Sequence, residues 1–312
     1  MILSIIIMIV LLGVFLLILL GIYRLAFYVP VRERSERPHD IPSSEQYLPE
    51  RDRIHRLVDD LLAVPCERVT VRSFDGLLLG ARYYHVSDSA PVQIQFHGYR
   101  GSAIRDFCGG CPIALSHGFN VLLVDQRGHG QSEGHDITFG VQERYDVLAW
   151  VDYIRDRLGK NTPIILAGVS MGAATVLMST ALDLPDCVRG VIADCPFSDP
   201  QAIIAKVGRD MRLPSGLLMP LVRLTARLFG RFDLTAASAL SAVQNTRLPV
   251  LIIHGEDDRF VPCDMSRALK AANPACVTLE TFPGAGHGLS YIVDERRYER
   301  AIHDFEKRLN II

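Results

Sequence analysis

The stretch Pro163-Ile164-Ile165-Leu166-Ala167-Gly168-Val169-Ser170-Met171-Gly172 constrains the chain most. Its first half is a short unbroken apolar run, which predicts a strand buried on both faces. After the second half comes Ala173-Ala174-Thr175-Val176-Leu177-Met178, a small-residue stretch with good helix formers. A strand that turns at once into a helix holds Ser170 at the tip of a strained turn. The chain on both sides crowds such a turn, so a Cβ at position 168 or 172 is expected to clash.

Strands and helices alternate around this unit. Residues 69–72 and 77–86 predict two strands joined by a Phe74-Asp75-Gly76 turn. A third strand at 92–96 ends at His97-Gly98-Tyr99-Arg100-Gly101-Ser102, and a helix over 103–116 follows. Next come a buried strand at 119–125, the loop Gln126-Arg127-Gly128-His129-Gly130-Gln131-Ser132, and a longer helix over 141–158. Beyond Ser170 and its helix the reading gives strands at 188–193, 249–254 and 277–282, with helices near 265–272 and over 295–309. The pattern predicts an α/β fold: a mostly parallel sheet with helices on both faces, opened by a β-hairpin. Between 196 and 247 the alternation stops, and helices interrupted by Pro200, Pro214 and Pro220 take over for 52 residues. This insertion reads as a helical lid over the carboxyl ends of the strands, where open α/β sheets place their ligand sites.

Residues 2–23 contain no charged side chain. At about 1.5 Å per residue this run extends roughly 33 Å, enough to cross a bilayer. A cleaved signal peptide fits less well: no basic residue precedes the run, the run is long, and no small-x-small site follows. The expected organisation is an N-terminal transmembrane anchor over 1–29, a linker with a short helix over 30–65, and a domain over 66–312. Arg24, Arg32, Arg34 and Arg37 follow the span and only the α-amine precedes it, which predicts a cytoplasmic domain. Seven cysteines, an odd number with several in apolar runs, agree with a reducing compartment. Cys108-Gly109-Gly110-Cys111 has the spacing of a redox pair but no thioredoxin-like surroundings, and reads as an accident of a helix start. The 312 residues are 49% apolar and 22% charged with net charge −2, which points away from disorder and from nucleic-acid partners.

A serine hydroxyl is a poor nucleophile at neutral pH. It needs a histidine to take its proton and a carboxylate to stabilise the imidazolium. For a serine at a strand-to-helix tip the chain order is serine, acid, histidine. Only His287 and His303 follow every candidate acid. His303 falls in mid-helix, where a solvated position is expected. His287 lies in Gly284-Ala285-Gly286-His287-Gly288, a loop after the last strand that can reach towards Ser170, and is the expected base. For the acid, His254-Gly255-Glu256-Asp257-Asp258-Arg259-Phe260-Val261-Pro262 offers three adjacent carboxylates. The spacing favours Asp258, with Asp257 next and Asp194, at the end of the preceding strand, behind both. The oxyanion of a tetrahedral intermediate needs two donors, expected to be the backbone N–H groups of Met171 and Tyr99. His97 lacks a spaced set of partner ligands, so no metal is expected there. Asp125 and the 127–130 loop are expected to brace their neighbours, and no cofactor is implied.

Five segments taken together, His97 to Ser102, Asp125 to Ser132, Gly168 to Gly172, His254 to Pro262 and Gly286 to Gly288, resemble the α/β-hydrolase superfamily. The chain is similar to its BEM46-like, serine aminopeptidase-like group over about residues 66–309. The resemblance implies a serine hydrolase with the triad Ser170, Asp258 and His287. It does not choose among esterases, lipases, thioesterases and peptidases. The expectation is hydrolysis of a carboxylic ester, thioester or amide of a small-molecule acyl substrate through an acyl-enzyme on Ser170. The alternatives are peptidase action on short peptides and an inactive membrane-tethered binding protein.

The lid departs from the group's pattern. It carries seven Lys/Arg against three Asp, a local charge of +4. Leu217, Leu221, Leu224 and Leu228 recur at helical spacing beside Arg223, Arg227 and Arg231. Two readings stand: leucines packed on the sheet with arginines in water, or a basic amphipathic helix resting on an anionic leaflet.

Overall fold

The computed structural model of the chain describes residues 1–30 and 37–312; Arg32 and Arg34, used above for orientation, lie outside the described residues. Helix α1 (Ile2–Ala26) and helix α2 (Arg51–Ala63) precede the hairpin strands β1 (Glu67–Arg72) and β2 (Leu78–Tyr84). Then come β3 (Val92–Phe96), α3 (Ala103–Asp106), α4 (Gly110–Ser116), β4 (Asn120–Val124) and α5 (Glu143–Leu158). The Ser170 unit is β5 (Ile164–Val169) and α6 (Met171–Ser179), followed by β6 (Val188–Asp194). The insertion holds α7 (Pro200–Asp210), α8 (Ser215–Leu228) and α9 (Ala239–Asn245). The domain closes with β7 (Val250–Gly255), α10 (Asp264–Ala272), β8 (Val277–Phe282), α11 (Ser290–Val293) and α12 (Glu295–Arg308).

Among the described residues, eight strands form a sheet in the order β1-β2-β4-β3-β5-β6-β7-β8. Strand β2 is antiparallel to β1 and β4, and the remaining pairs are parallel. The runs at β3, β4 and β7 are wholly buried because the sheet is covered on both faces. Alternation along β4 shows the two layers. Leu122 and Val124 face a core with Val147, Trp150 and Ile154 of α5 and Val176 of α6. Val121 and Leu123 face one with Val58 and Leu61 of α2 and Ile302 and Phe305 of α12. The sequence reading of an α/β-hydrolase fold is what the chain adopts.

Several local expectations change. The single helix over 103–116 is two, α3 and α4, separated at 107–109. Gly109 lies there under the Tyr291 ring, and a Cβ on it would come within 2.5 Å of the ring. His303 is half-buried rather than solvated, its ring 5.1 Å from that of His117, which pairs with the buried Glu306. In the insertion, α9 packs beside α6 and α10, whereas α7 packs on α8 and α8 on α1. Leu217, Leu224 and Leu228 of α8 are exposed instead of packed, whereas Val222, Thr225 and Ala226 are buried. The Cys108 and Cys111 thiols are both buried and free, and burial pushes Cys108 up to about 12, so neither offers the thiolate that redox exchange needs.

The 127–130 loop braces its surroundings as expected. Arg127 is buried and forks onto Asp146 of α5 through two 2.7 Å bonds, while its Nη1 donates to Asp75 of the hairpin turn at 2.9 Å. Removing the guanidinium leaves a buried carboxylate unpaired, a loss of about 3–5 kcal/mol. Arg127→Ala is therefore expected to lower the unfolding free energy in denaturant titration by about that much, and Arg127→Met with Asp146→Leu by clearly less. A loss under about 1 kcal/mol for the single change would contradict this role.

Candidate active site

Ser170 lies between β5 and α6 with φ 56° and ψ −113°, a conformation L residues avoid. A strain of this kind costs about 1–3 kcal/mol and persists only where packing enforces it. Two glycines do so. A Cβ on Gly172 would come 1.8 Å from the Phe96 carbonyl oxygen, and one on Gly168 would come 2.3 Å from the Gly172 carbonyl carbon. The clash expected at both positions is therefore present. The Ser170 N–H donates to the Asp194 carbonyl at 2.8 Å, fixing the turn to the end of β6.

His287 Nε2 lies 2.9 Å from Ser170 Oγ, and its Nδ1 lies 2.6 Å from Asp258 Oδ2. A carboxylate only accepts, so Nδ1 carries the proton and Nε2 is left to accept from the serine hydroxyl. Asp258 is buried and held by four groups. Its Oδ1 accepts the N–H groups of Phe260 and Val261, both at 2.8 Å, and its Oδ2 also faces His254 Nε2 at 3.3 Å. Burial alone would raise its pKa; bonds and charge from His254 and His287 outweigh that and hold the carboxyl well below the usual range. His254 is itself fixed, since its Nε2–H donates to the Val261 carbonyl at 2.9 Å and Nδ1 accepts from Ser266 Oγ at 2.6 Å. Asp257 and Glu256 are exposed in the same turn. Asp194 is buried with its Oδ2 accepting from Tyr298 at 2.9 Å and its Oδ1 making no hydrogen bond, so it is not bonded to His287.

Met171 is the first residue of α6, so its N–H has no intrahelical acceptor. The Tyr99 loop passes close by: a Cβ on Gly98 would lie 3.3 Å from Ser170 Cβ. That loop is held on both sides. The Gly98 N–H donates to Asp106 Oδ2 at 2.8 Å, and Arg105 Nε donates to Asp106 Oδ1 at 2.8 Å. On the other side, Tyr99 Oη donates to the Ala26 carbonyl at 2.9 Å, and Arg100 Nη2 to that of Tyr28 at 3.0 Å. His97 Nδ1 donates to the Gly98 carbonyl at 2.8 Å and Nε2 accepts the Gln126 N–H at 3.1 Å, so both ring nitrogens serve the loops. Elsewhere, His117, His303 and Glu306 bring ligand-type atoms within 4.8 Å of one another, with His117 Nδ1 and Glu306 Oε2 already bonded at 2.6 Å.

Sequence reasoning missed three supports of this site. Residues 41–50, read as linker, line the cleft over Ser170, whose volume is about 1210 Å³. Within them Tyr47 Oη donates to the His287 carbonyl at 2.7 Å and Gln46 Oε1 accepts the His287 N–H at 3.1 Å. The end of α1 carries the Tyr99 loop, and Asp106 anchors Gly98 from the other side. None has a motif: a proline-rich composition reads the same whether it hangs free or lies in a groove. Burial, opposed in part by the Tyr298 bond, raises Asp194 to about 6 from an ordinary value near 3.8, with His254, His287 and Asp258 around it. The folded state thus keeps this proton where the unfolded chain has lost it, and stability falls as pH rises from about 4 to about 6. Asp194→Asn removes that slope. Its Tm relative to the parent is expected to improve between pH 4 and pH 8, and a constant difference across that window would contradict the assignment.

Similarity to known proteins bears on the fold and the family. Residues 96–301 match the family described as the alpha/beta hydrolase family. The chain is 30% identical over 200 residues to Bacillus subtilis YqkD, covering 64% of this chain and 65% of that protein. It is 29% identical over 204 residues to the lysophosphatidylserine lipase ABHD12 of Danio rerio, covering 61% of this chain and 49% of that one. The chain thus spans less than two thirds of the first and about half of the second. The Pyrococcus furiosus esterase Pf2001 superposes with a TM-score of 0.61 at 23% identity, covering 80% of this chain and 94% of that one, a likeness of fold. With the matched segment running from the end of β3 into α12, the chain belongs to the alpha/beta hydrolase family.

Proposed function

We propose that the protein is a serine hydrolase that cleaves carboxylic esters, with thioesters and amides as related substrates, through an acyl-enzyme on Ser170. The observation that carries this reading is the continuous relay from Asp258 Oδ2 through the His287 ring to Ser170 Oγ, with contacts of 2.6 and 2.9 Å. As Oγ attacks the acyl carbon, His287 Nε2 takes the hydroxyl proton, and Asp258, ionised throughout, stabilises the imidazolium. The oxyanion is received by the N–H groups of Met171 and Tyr99, the first at the positive end of the α6 dipole. His287 then gives its proton to the leaving oxygen, the acyl-enzyme forms, and water repeats the sequence in reverse to free the acid. Tyr47, Phe107, Tyr291 and Ile292 supply apolar lining suited to an acyl chain, and Lys206 and Arg259 also line the cleft.

We read α1 as a membrane anchor with the catalytic domain on the cytoplasmic side. Among the described residues it is the one helix long and apolar enough to cross a bilayer. Retention rather than cleavage is supported by its end: Phe27 is fully buried, and its carbonyl accepts the Ile137 N–H at 2.8 Å. Losing such a side chain from a core costs about 3–5 kcal/mol. The lipase named among the relatives and the apolar lining together favour esters of single acyl chains over aminoacyl amides.

A fluorophosphonate probe is expected to label the purified full chain, and Ser170→Ala to abolish labelling. His287→Ala is expected to slow it by a factor on the order of 10³ or more. Labelling that survives Ser170→Ala moves the nucleophile elsewhere and sinks this reading.

A further inference from the structure

Helix α8 has three sides. At about 100° per residue, Leu218, Val222, Thr225 and Ala226 share one face, and Leu217, Leu221, Leu224 and Leu228 share a second, turned from the first by roughly a third of a circle. The first face is where the helix packs on the domain, with Val222, Thr225 and Ala226 buried. The second is largely open: Leu217 is 65% exposed, Leu224 37% and Leu228 52%, and Leu221 is half-buried. Met211 and Leu213, just before the helix, are 55% and 41% exposed. Arg223 and Arg227 occupy the third side.

The neighbour of α8 points to a partner for that face. Helix α1 packs along α8, with the Tyr23 and Phe229 ring centroids 5.4 Å apart and those of Phe27 and Phe232 5.2 Å apart. The burial of α1 starts at Leu19, five residues before Arg24, the first charge after the apolar run. At about 1.5 Å per residue, the protein body thus reaches roughly 7 Å up the span before the first charge. An interfacial helix embeds its apolar face to about that depth, 5–10 Å. The local charge of +4 over residues 196–247, in a chain of net charge −2, suits an anionic leaflet.

We propose that α8 is a second membrane contact, its Leu217–Leu221–Leu224–Leu228 stripe inserted in the leaflet from which α1 emerges and its arginines at the headgroups. The proposal rests on α1 spanning the bilayer. It adds a second membrane contact to the one α1 makes, and it holds the Tyr99 loop, which bonds to the end of α1, against the membrane surface.

The test uses the full chain in vesicles of phosphatidylcholine and phosphatidylglycerol, with and without bromine on the acyl chains. The native Trp150 is the chain's one tryptophan, and on the inner face of α5 it is fully buried in the core, so it gives a constant background. Single tryptophans are added by Leu224→Trp on the stripe, Val10→Trp in the span, and Lys307→Trp on the exposed side of α12. Bromolipid is expected to quench the tryptophans at 224 and 10 and to spare the one at 307. Quenching at 10 with none at 224 beyond that at 307 overturns the docking and leaves the span standing. No quenching at either 10 or 224 overturns both. A blue-shifted but unquenched emission at 224 means another copy of the chain covers the stripe, and overturns the proposal.

Discussion

The site depends on how closely β3 and α6 approach. With no side chain at Gly172, the first turn of α6 rests directly on the carbonyl groups of Phe96 and His97. That contact fixes two things at once. It enforces the positive φ of Ser170, and it brings the loop after β3, with Gly98 and Tyr99, beside the serine. A methyl group there forces β3 and α6 apart, and the serine loses its strained presentation together with its neighbouring loop. The strain is held by a fully buried strand and helix interface, where stability is most plentiful.

Around that rigid centre, the histidine and the Tyr99 loop are held from outside the sheet. Gly255, at the end of β7, is bare enough for the Ala285 carbonyl to approach, so the acid loop and the histidine loop lie against each other. Residues 41–50 then close over the histidine loop through Gln46 and Tyr47. The Tyr99 loop is bonded on one side to Asp106 and on the other to the carbonyls that end α1. The segment that looks like a tether is thus part of the wall of the cleft, and the end of the apolar helix braces the Tyr99 loop beside it. In this arrangement, displacement of α1 relative to the domain acts on the loop that carries Tyr99, the proposed oxyanion donor.

Much of this was legible because it rests on short-range rules. The apolar run at 163–167 and the glycines at 168 and 172 specify a buried strand meeting a helix at close quarters, whatever surrounds them. Chain order points to Ser170, Asp258 and His287, and the spacing around His254 and Pro262 favours Asp258 over Asp257; these three side chains lie within hydrogen-bonding distance of one another in series. What was not legible depends on contacts between distant segments. At the break between α3 and α4, Gly109 lies against the ring of Tyr291, far away in sequence. Two apolar stripes on α8 look alike in the string, and only the fold decides that the one holding Val222 is covered while the one holding Leu224 is left open. The half-burial of His303 likewise comes from His117, which no local pattern links to it.

The central claim is chemical: an acyl group passes through the hydroxyl of Ser170. Rapid mixing of the full chain with excess p-nitrophenyl ester, followed by acid quench and peptide mass spectrometry, tests it most directly. The account requires a burst of nitrophenol near one equivalent per chain when deacylation is the slower step, and the acyl mass on the peptide that carries Ser170. Ester turnover with acyl mass on a different residue would contradict it.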